Sequence, residues 1–191
     1  MEFWKKAYAF TLDLLQTICL AAAIFLVIYI FLYRPFQVSG DSMYPTFKDK
    51  EYIMTDMISL KFGDPRRGDV IVFHAPPDPE KDFIKRVIGL PGDTVLLKDG
   101  FVYINGKQVN ESVYLHSDVR TYGGNFLHVG QPFTVPPGNY IAFGDNRPFS
   151  SDSREWGLVP IKLIIGKSLF VYWPLSAMRV VHNPFPESEQ K

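Results

Sequence analysis

Residues 14–33, LLQTICLAAAIFLVIYIFLY, form an apolar run of twenty residues without a single charge. With a rise of about 1.5 Å per residue, a helix of this length spans about 30 Å, the thickness of a bilayer core. Lys5 and Lys6 precede the run, and Arg34 follows it. The run therefore predicts one N-terminal transmembrane anchor, with a short cytoplasmic segment, 1–13, in front of it.

A cleaved secretory signal peptide is the alternative interpretation of this run. Such peptides have an apolar region of about 7–15 residues that ends in a small-x-small site. The run is longer than that, and Val38-Ser39-Gly40 matches such a site poorly, so a retained anchor is favoured. The two lysines before the run favour a cytoplasmic N-terminus, although Arg34 and Lys48 on the other side weaken the charge bias.

The composition excludes several classes of site. Twenty basic and twenty acidic side chains balance, so no overall field favours nucleic acid and no such partner is expected. The single cysteine, Cys19, lies inside the apolar run and leaves no intrachain disulfide. Four histidines lack the spacing of metal ligands, and none lies in a segment built around a Ser-His-Asp triad: His74, His116, His128 and His182. Neither a metal nor another cofactor is expected.

After residue 34 the sequence has the pattern of strands and turns, without sustained helical periodicity. Asp99-Gly100 and Asn105-Gly106 predict tight turns, which need positive φ, and make 94–109 a three-stranded meander. β-branched and aromatic runs predict further strands at 69–73 and 168–173, and NYIAFGDN, residues 139–146, predicts a strand that runs into a turn. We expect 34–185 to form an all-β domain with two antiparallel sheets or a partly closed barrel. The C-terminal segment PFPESEQK is expected to fray, with 186–191 as the tail.

The loop after the anchor contains VSGDSMYPTF, residues 38–47, which is elaborate for a spacer. Ser42 lies eight residues beyond Arg34, so an extended chain carries it at most about 26–29 Å from the membrane surface. Serine is a weak nucleophile until a neighbouring base activates it. The loop therefore indicates chemistry only if another segment supplies that base.

The segment DFIKRVIGLPGD, residues 82–93, offers such a base. Successive strand residues face opposite ways, so either Lys85 or Arg86 points toward an apolar layer. If Lys85 does so, desolvation lowers its pKa and provides a neutral amine, which is a competent general base. An edge strand with both cations in water, or an ion pair with an aspartate, is the alternative.

The segment GDNRPFSSDSREWG, residues 144–157, combines opposite charges with serines between two glycines. A solvated loop is the simplest interpretation. The dense and balanced charges favour instead a turn that is cross-braced by Asp–Arg pairs. Such a turn would hold a neighbouring strand, and the lysine on it, in place.

Together these segments resemble bacterial type I signal peptidases, or leader peptidases, which are membrane-bound serine proteases that remove signal peptides. SGDSMYPTF is similar to the family's nucleophile motif, RGDVIVF (67–73) to its next strand motif, KRVIGLPGD (85–93) to its lysine motif, and GDNRPFSSDSREWG to its last motif. Each motif is short. Four of them in the family's order, behind an N-terminal anchor, make a specific set.

The resemblance implies a Ser–Lys dyad in which Ser42 is the nucleophile and Lys85 the general base. It also implies that Ser150 hydrogen-bonds and orients the lysine, and that the Ser42 N–H is one oxyanion donor. The implied bracing charges are Asp145, Arg147, Asp152 and Arg154, with Arg86 as a partner of Asp145. Gly40, Met43 and Phe83 are expected to border the oxyanion and substrate site. Phe83, Val87 and Met43 are expected to exclude water from the Lys85 amine.

Two positions depart from the family's pattern. Some members carry a side-chain hydroxyl two residues before the nucleophile as a second oxyanion donor, whereas this chain has Gly40. Members often have tyrosine two residues before the lysine, whereas this chain has Phe83, which lacks the hydroxyl. The second transmembrane segment of some members has no counterpart here.

The resemblance implies that the enzyme cleaves signal peptides from secreted preproteins after Ala-x-Ala-like sites, through an acyl-enzyme. It would work in the lipid bilayer of the bacterial cytoplasmic membrane, with its catalytic domain on the extracytoplasmic face, beside the export machinery. Two other hypotheses remain: a self-cleaving regulator of the repressor type, which lacks a membrane helix, and an anchored β domain that binds a partner without catalysis. Cleavage assays of Ser42→Ala and Lys85→Ala discriminate between them.

Overall fold

The computed structural model describes residues 1–190 and begins with one long helix, α1 (Glu2–Phe31). Its part Glu2–Val27 is long and apolar enough to cross a membrane, and the most apolar window of that part buries none of its surface against the protein. The helix starts at Glu2 rather than at residue 14, so the expected cytoplasmic segment is helical too. An apolar helix without protein cover is typical of an element that lies in lipid.

The rest of the chain is mostly β-structure, as predicted. The strands are β1 (Tyr33–Gln37), β2 (Tyr52–Asp56), β3 (Val70–Ala75), β4 (Asp78–Gly89), β5 (Thr94–Lys98), β6 (Phe101–Ile104), β7 (Lys107–Gln108), β8 (Phe133–Thr134), β9 (Asn139–Phe143), β10 (Val159–Pro160), β11 (Ile164–Trp173) and β12 (Arg179–Val180). The other α-helices are single turns, α2 (Ser59–Phe62) and α3 (Ser153–Trp156). The absence of sustained helices after residue 34 is confirmed for the residues that the structure describes.

The strands form two antiparallel sheets. The larger has the order β1-β2-β11-β3-β4-β9-β10, with β12 beside β11, and the smaller has the order β7-β6-β5-β8. The ladders of the larger sheet leave its two end strands, β1 and β10, unjoined. The predicted antiparallel sheets are therefore confirmed, and they do not form a closed barrel.

The predicted meander is confirmed as β5, β6 and β7. Asp99 and Gly100 have φ values of 52° and 80°, and Asn105 and Gly106 have φ values of 53° and 81°. Tight hairpin turns of the primed types need this positive φ, which Asn, Asp and Gly adopt at the lowest cost. These local turns set the register of the smaller sheet.

The C-terminus does not fray over residues 184–190, so that prediction is wrong. Phe185 is buried. Arg67 donates its backbone N–H to the Gln190 carbonyl at 3.1 Å and its Nε to the Glu189 carbonyl at 2.9 Å. The final residues thus pack against the loop before β3.

Strand β4 lies in the interior of the larger sheet, between β3 and β9. Its second half, residues 85–89, is buried throughout. One apolar cluster, which includes Met43, Phe47, Val70 and Val72, lies beneath the loop after β1, and another, which includes Ile71, Phe73 and Val87, packs β3 against β4. The core therefore fixes both the loop that carries Ser42 and the strand that carries Lys85.

Candidate active site

Ser42 and Lys85 lie together although 43 residues separate them in the chain. Lys85 Nζ donates to Ser42 Oγ at 2.8 Å and to the Ile84 carbonyl at 3.0 Å. Ser42 is on a compact turn, in which the Tyr44 N–H donates to the Asp41 carbonyl at 3.0 Å and the Phe47 N–H donates to the Met43 carbonyl at 2.9 Å. The structure thus brings together the two residues that the sequence singled out as nucleophile and base.

Lys85 is buried, with 4% of its surface exposed, and no carboxylate of residues 1–190 forms an ion pair with it. Burial lowers the pKa of Lys85 to about 8 because the ammonium form loses its hydration; the charges of Asp152 and Asp145 oppose this shift, and that of Arg154 adds to it. Desolvation is the larger effect. About a tenth of the amine is therefore neutral at pH 7, compared with less than about a thousandth at the ordinary lysine pKa of 10.5.

Arg86, the next residue on β4, is also buried but is fully paired. Its Nε and Nη2 donate to the two oxygens of Asp145 at 2.9 and 2.7 Å, and its Nη1 donates to the Gly68 carbonyl at 2.8 Å. Thr46, four residues after Ser42, donates its hydroxyl to Asp145 at 2.5 Å. The hypothesis of an edge strand with both cations in water is wrong, whereas the predicted partnership of Arg86 with Asp145 is present.

A second ion pair, Asp152 with Arg154, braces the turn after β9. Arg154 Nε and Nη2 donate to the two oxygens of Asp152 at 2.8 and 2.7 Å. Asp152 also accepts the Gly144 N–H at 3.0 Å. Arg154 reaches across the turn to the Arg147 carbonyl at 2.7 Å. The segment is therefore a cross-braced turn and not a solvated loop.

Ser150 does not make the expected hydrogen bond to Lys85 in this structure. Its hydroxyl is buried and has no hydrogen-bond partner within residues 1–190. It lies against Gly144, where a Cβ would meet both this hydroxyl and the Ser42 carbonyl. The Ile84 carbonyl accepts from Lys85 instead.

Sequence reasoning missed the partners of Arg147. This buried arginine donates Nη2 to Glu111 at 2.5 Å, Nε to the Gly144 carbonyl at 3.0 Å and Nη2 to the Tyr114 hydroxyl at 3.1 Å, and it also donates to the Thr121 hydroxyl. Glu111 comes from the loop after the meander, 36 residues away in the chain. No local pattern marks such a residue, and the balanced charges of the segment indicated only Asp–Arg pairs within the turn itself.

A cleft of about 260 Å³ opens beside the Ser42–Lys85 pair. Its lining comes from the end of β1 and the loop after it, from β2, β3 and β4, and from the braced turn: Phe36, Gln37, Val38, Ser39, Ser42, Ile53, Val72, Asp82, Phe83, Ile84, Lys85 and Ser151. The Phe83 ring centroid lies 5.3 Å from Lys85 Nζ. Of the expected border residues, Phe83 lines the cleft, whereas Met43 is fully buried in the core and Gly40 is exposed outside it.

Comparison with known proteins assigns the family. The family model described as signal peptidase, peptidase S26, matches residues 11–173. Signal peptidase IB of Staphylococcus aureus (strain MRSA252) is 37% identical over 186 residues, which cover 90% of this chain and 96% of that protein. Signal peptidase I S of Bacillus subtilis (strain 168) is 38% identical over 172 residues, which cover 88% and 92%.

Among solved structures, a signal peptidase I from Enterococcus faecalis V583 is similar, with 33% sequence identity and a TM-score of 0.45. The match covers 55% of this chain and 97% of that one.

The family model and the Staphylococcus aureus and Bacillus subtilis relatives define a serine endopeptidase, and the chain carries an N-terminal apolar helix. The chain belongs to the signal peptidase family, peptidase S26. The resemblance drawn from the four motifs is thereby confirmed.

Proposed function

We propose that the protein cleaves N-terminal signal peptides from secreted preproteins after small-x-small sites, with Ser42 as nucleophile and neutral Lys85 as general base. The observation that carries this proposal is the 2.8 Å contact between Lys85 Nζ and Ser42 Oγ, with Lys85 buried and without a carboxylate partner in the part of the chain that the structure describes. A buried amine without a counterion favours its neutral form, which can accept a proton.

The acylation step follows from this contact. Lys85 Nζ takes the proton of Ser42 Oγ while Oγ bonds to the scissile carbonyl carbon, and the carbonyl oxygen becomes an oxyanion. As the oxyanion collapses, the carbon–nitrogen bond breaks, and the Lys85 ammonium gives its proton to the leaving amine. The product is an ester on Ser42 and the free N-terminus of the mature protein.

In deacylation Lys85 is again the base, but it now takes its proton from water and gives it to Ser42 Oγ. Lys85 takes a proton from water as the water oxygen bonds to the ester carbon. The bond to Ser42 Oγ then breaks, and Lys85 returns the proton to Oγ. The signal peptide leaves as a C-terminal carboxylic acid, which releases its remaining proton to solvent to become a carboxylate, and the enzyme is regenerated.

The Ser42 N–H is the proposed oxyanion donor. It has no acceptor among the hydrogen bonds of residues 1–190. Gly40 carries no hydroxyl, and its N–H donates to Asp49 at 2.8 Å, so a second donor does not come from that position.

Ser150, whose buried hydroxyl is unpaired, is proposed to turn toward Lys85 when substrate fills the cleft.

The cleft suits an extended peptide with small side chains. On the β9 side of β4, pairing begins only at Arg86, so residues 82–85 present a free backbone edge to the cleft. The end of β1, which is separated from β4 by three strands of the sheet, also lines the cleft. A substrate strand can hydrogen-bond to such an edge, and the limited volume favours small residues at positions −1 and −3.

The proposed location is the bacterial cytoplasmic membrane, with the N-terminus inside and residues 34–185 outside. Helix α1 would be the anchor, and β1 starts two residues after it ends. A signal peptide emerges just beyond its own apolar helix, so a shared bilayer would bring its cleavage site close to Ser42. The export machinery is a proposed neighbour because it delivers these substrates.

Cleavage of a preprotein by the full-length chain in lipid vesicles tests the proposal. We expect Ser42→Ala, Lys85→Ala and Lys85→Arg to lose activity by at least 10³-fold, because arginine keeps the charge but cannot serve as a base. Ser117→Ala and Lys98→Ala, at exposed positions outside the site, are the matched controls. Activity within tenfold of wild type in any of the three variants contradicts the dyad.

The substrate preference is tested with the same preprotein. Replacement of alanine by phenylalanine at position −1 or −3 is expected to lower kcat/KM by more than 100-fold, whereas the same change at position −2 leaves it within a few fold. Equal tolerance at all three positions would contradict the small-x-small assignment and leave the dyad unaffected.

A further inference from the structure

Asn146 holds the turn that carries Ser42 at two adjacent points. Its side-chain Nδ2 donates to the Asp41 carbonyl at 3.0 Å. Its backbone N–H donates to the Ser42 carbonyl at 3.0 Å. Asn146 therefore hydrogen-bonds to both carbonyls that flank the Ser42 Cα, although more than 100 residues separate Asn146 from the Ser42 turn in the chain.

The Asp41 carbonyl matters because it belongs to the same peptide plane as the Ser42 N–H. The peptide bond between Asp41 and Ser42 is trans, so its carbonyl and its N–H point in opposite directions. The Asp41 carbonyl also accepts the Tyr44 N–H at 3.0 Å. Two donors on one carbonyl fix the plane and with it the direction of the Ser42 N–H.

The position of Asn146 is in turn fixed by its neighbours. Asp145, directly before it, is held by Arg86 and Thr46. The Asn146 carbonyl accepts the Phe149 N–H at 3.0 Å. Through these contacts the buried ion pair on β4 is connected to the geometry of the Ser42 turn.

We propose that Asn146 is a positioning residue for the oxyanion hole: by donating to the Asp41 carbonyl, it aims the Ser42 N–H at the place where the oxyanion forms. The inference rests on the proposed function, since it assumes that Ser42 is the nucleophile. Asn146 does not itself line the cleft, and its hydrogen bond to Ser42 is to the backbone carbonyl and not to the side chain.

This role predicts a specific kinetic pattern. A donor aimed at the oxyanion acts on the tetrahedral state and not on the bound substrate. Loss of one such donor lowers kcat by about 10²–10³-fold. Misaiming the donor is milder, so we expect Asn146→Ala to lower kcat by about 10–100-fold. Asn146→Asp, which has the same shape but places a carboxylate against the Asp41 carbonyl, is expected to lose more.

The test uses the full-length chain in lipid vesicles and two peptide probes of the same sequence. One is a peptide aldehyde, whose carbonyl carbon bonds to Ser42 Oγ and gives a tetrahedral adduct. The other is a peptide with a non-cleavable reduced bond, which reports ground-state binding. Asn139→Ala is the matched control, since Asn139 Nδ2 also donates to a backbone carbonyl, that of Pro137 at 2.9 Å, but at an exposed site.

The expected result is a parallel loss of kcat and aldehyde affinity in both Asn146 variants. KM, affinity for the reduced peptide and the pH profile of kcat/KM stay close to wild type. Asn139→Ala leaves all of these unchanged. A shifted pH profile, or equal losses for both probes, would mean that the variant disturbs the whole site, and this would overturn the inference.

Two other outcomes also overturn the inference. If folded Asn146 variants have wild-type kcat, the Asp41–Ser42 peptide keeps its orientation without Asn146. If both variants fail to fold, the role of Asn146 is purely structural. Failure of the proposed function has a different signature, because wild-type enzyme would then form no adduct at Ser42. The two failures are therefore distinguishable.

Discussion

Lys85 and Arg86 are consecutive residues of β4 and are both buried, yet only Arg86 meets a carboxylate, that of Asp145. The arginine keeps its charge because its guanidinium bonds to Asp145 at two points. The lysine has hydrogen bonds to a hydroxyl and a carbonyl only. One strand thus supplies both a fixed cation and an amine that can lose its proton.

The first prediction concerns pH. Below the lowered pKa of Lys85, about 8, the base is protonated and cannot accept the Ser42 proton. kcat/KM is therefore expected to rise about tenfold per pH unit on the acid side and to level off above about pH 8. A profile measured between pH 5 and 10 checks this. A rise that continues toward the ordinary lysine pKa of 10.5 would contradict the desolvation of Lys85.

Phe83→Ala separates two opposing effects of the Phe83 ring on the pKa of Lys85, and the pH profile of kcat/KM reports the outcome. The ring lies 5.3 Å from Lys85 Nζ and helps to exclude water, which lowers the pKa, but a cation–π contact, worth about 2 kcal/mol at a desolvated site, also favours the ammonium. One pKa unit corresponds to about 1.4 kcal/mol, so the lowering of the Lys85 pKa from 10.5 to about 8 is larger than this contact. We expect the variant to move the acid limb to higher pH. A move to lower pH would show that the ring mainly stabilises the charged form.

The buried pair of Arg86 and Asp145 is expected to contribute strongly to folding. Removal of one partner leaves an uncompensated buried charge, which costs about 3–5 kcal/mol in unfolding free energy. We expect Arg86→Met and Asp145→Leu each to show such a loss in denaturant unfolding, and the double variant to lose clearly less than the sum. Strict additivity would contradict a direct coupling.

The exposed ion pair of Lys81 with Asp78 provides the control for this cycle. Exposed pairs gain little from their attraction, because water already solvates both charges. Lys81→Ala is therefore expected to leave the unfolding midpoint unchanged.

The sequence predicted those parts of the fold and the site that depend on neighbouring residues. The Asp-Gly and Asn-Gly turns of the meander are present because their positive φ is a local requirement. The alternation along β4 predicted one buried cation, whereas both are buried, since Asp145 approaches from 59 residues away. Long-range partners of this kind leave no periodic signal in the sequence.

The lack of a sequence signal for long-range contacts also explains which residues the sequence-based prediction missed or misplaced. Thr46 and Glu111 act through contacts with distant segments. Met43, expected at the edge of the lysine, packs instead into the core beneath its own turn. The C-terminal residues fold back onto Arg67, which donates to the Glu189 and Gln190 carbonyls, and composition alone gave no hint of that contact.

Ser150→Ala tests a residue whose hydroxyl is buried and unpaired. Removing such a group leaves no partner unsatisfied, so we expect an unfolding free energy that is unchanged or slightly higher. If Ser150 orients Lys85 once substrate is bound, kcat falls by more than tenfold in the same folded variant. Wild-type kcat would assign the orientation of Lys85 to the Ile84 carbonyl instead.

Gly144→Ala tests how tightly the braced turn packs against the nucleophile. A Cβ at this position would overlap the Ser150 side chain and the Ser42 carbonyl, so either the turn or the nucleophile must move. We expect kcat to fall by at least tenfold and the unfolding free energy to fall by about 1–3 kcal/mol, as for other overpacked sites. Gly63→Ala, where the nearest atom is 4.0 Å away, is the matched control and should change neither. Wild-type activity in Gly144→Ala would show that the Ser42 turn can shift without consequence, and close packing against the braced turn would then have no role in catalysis.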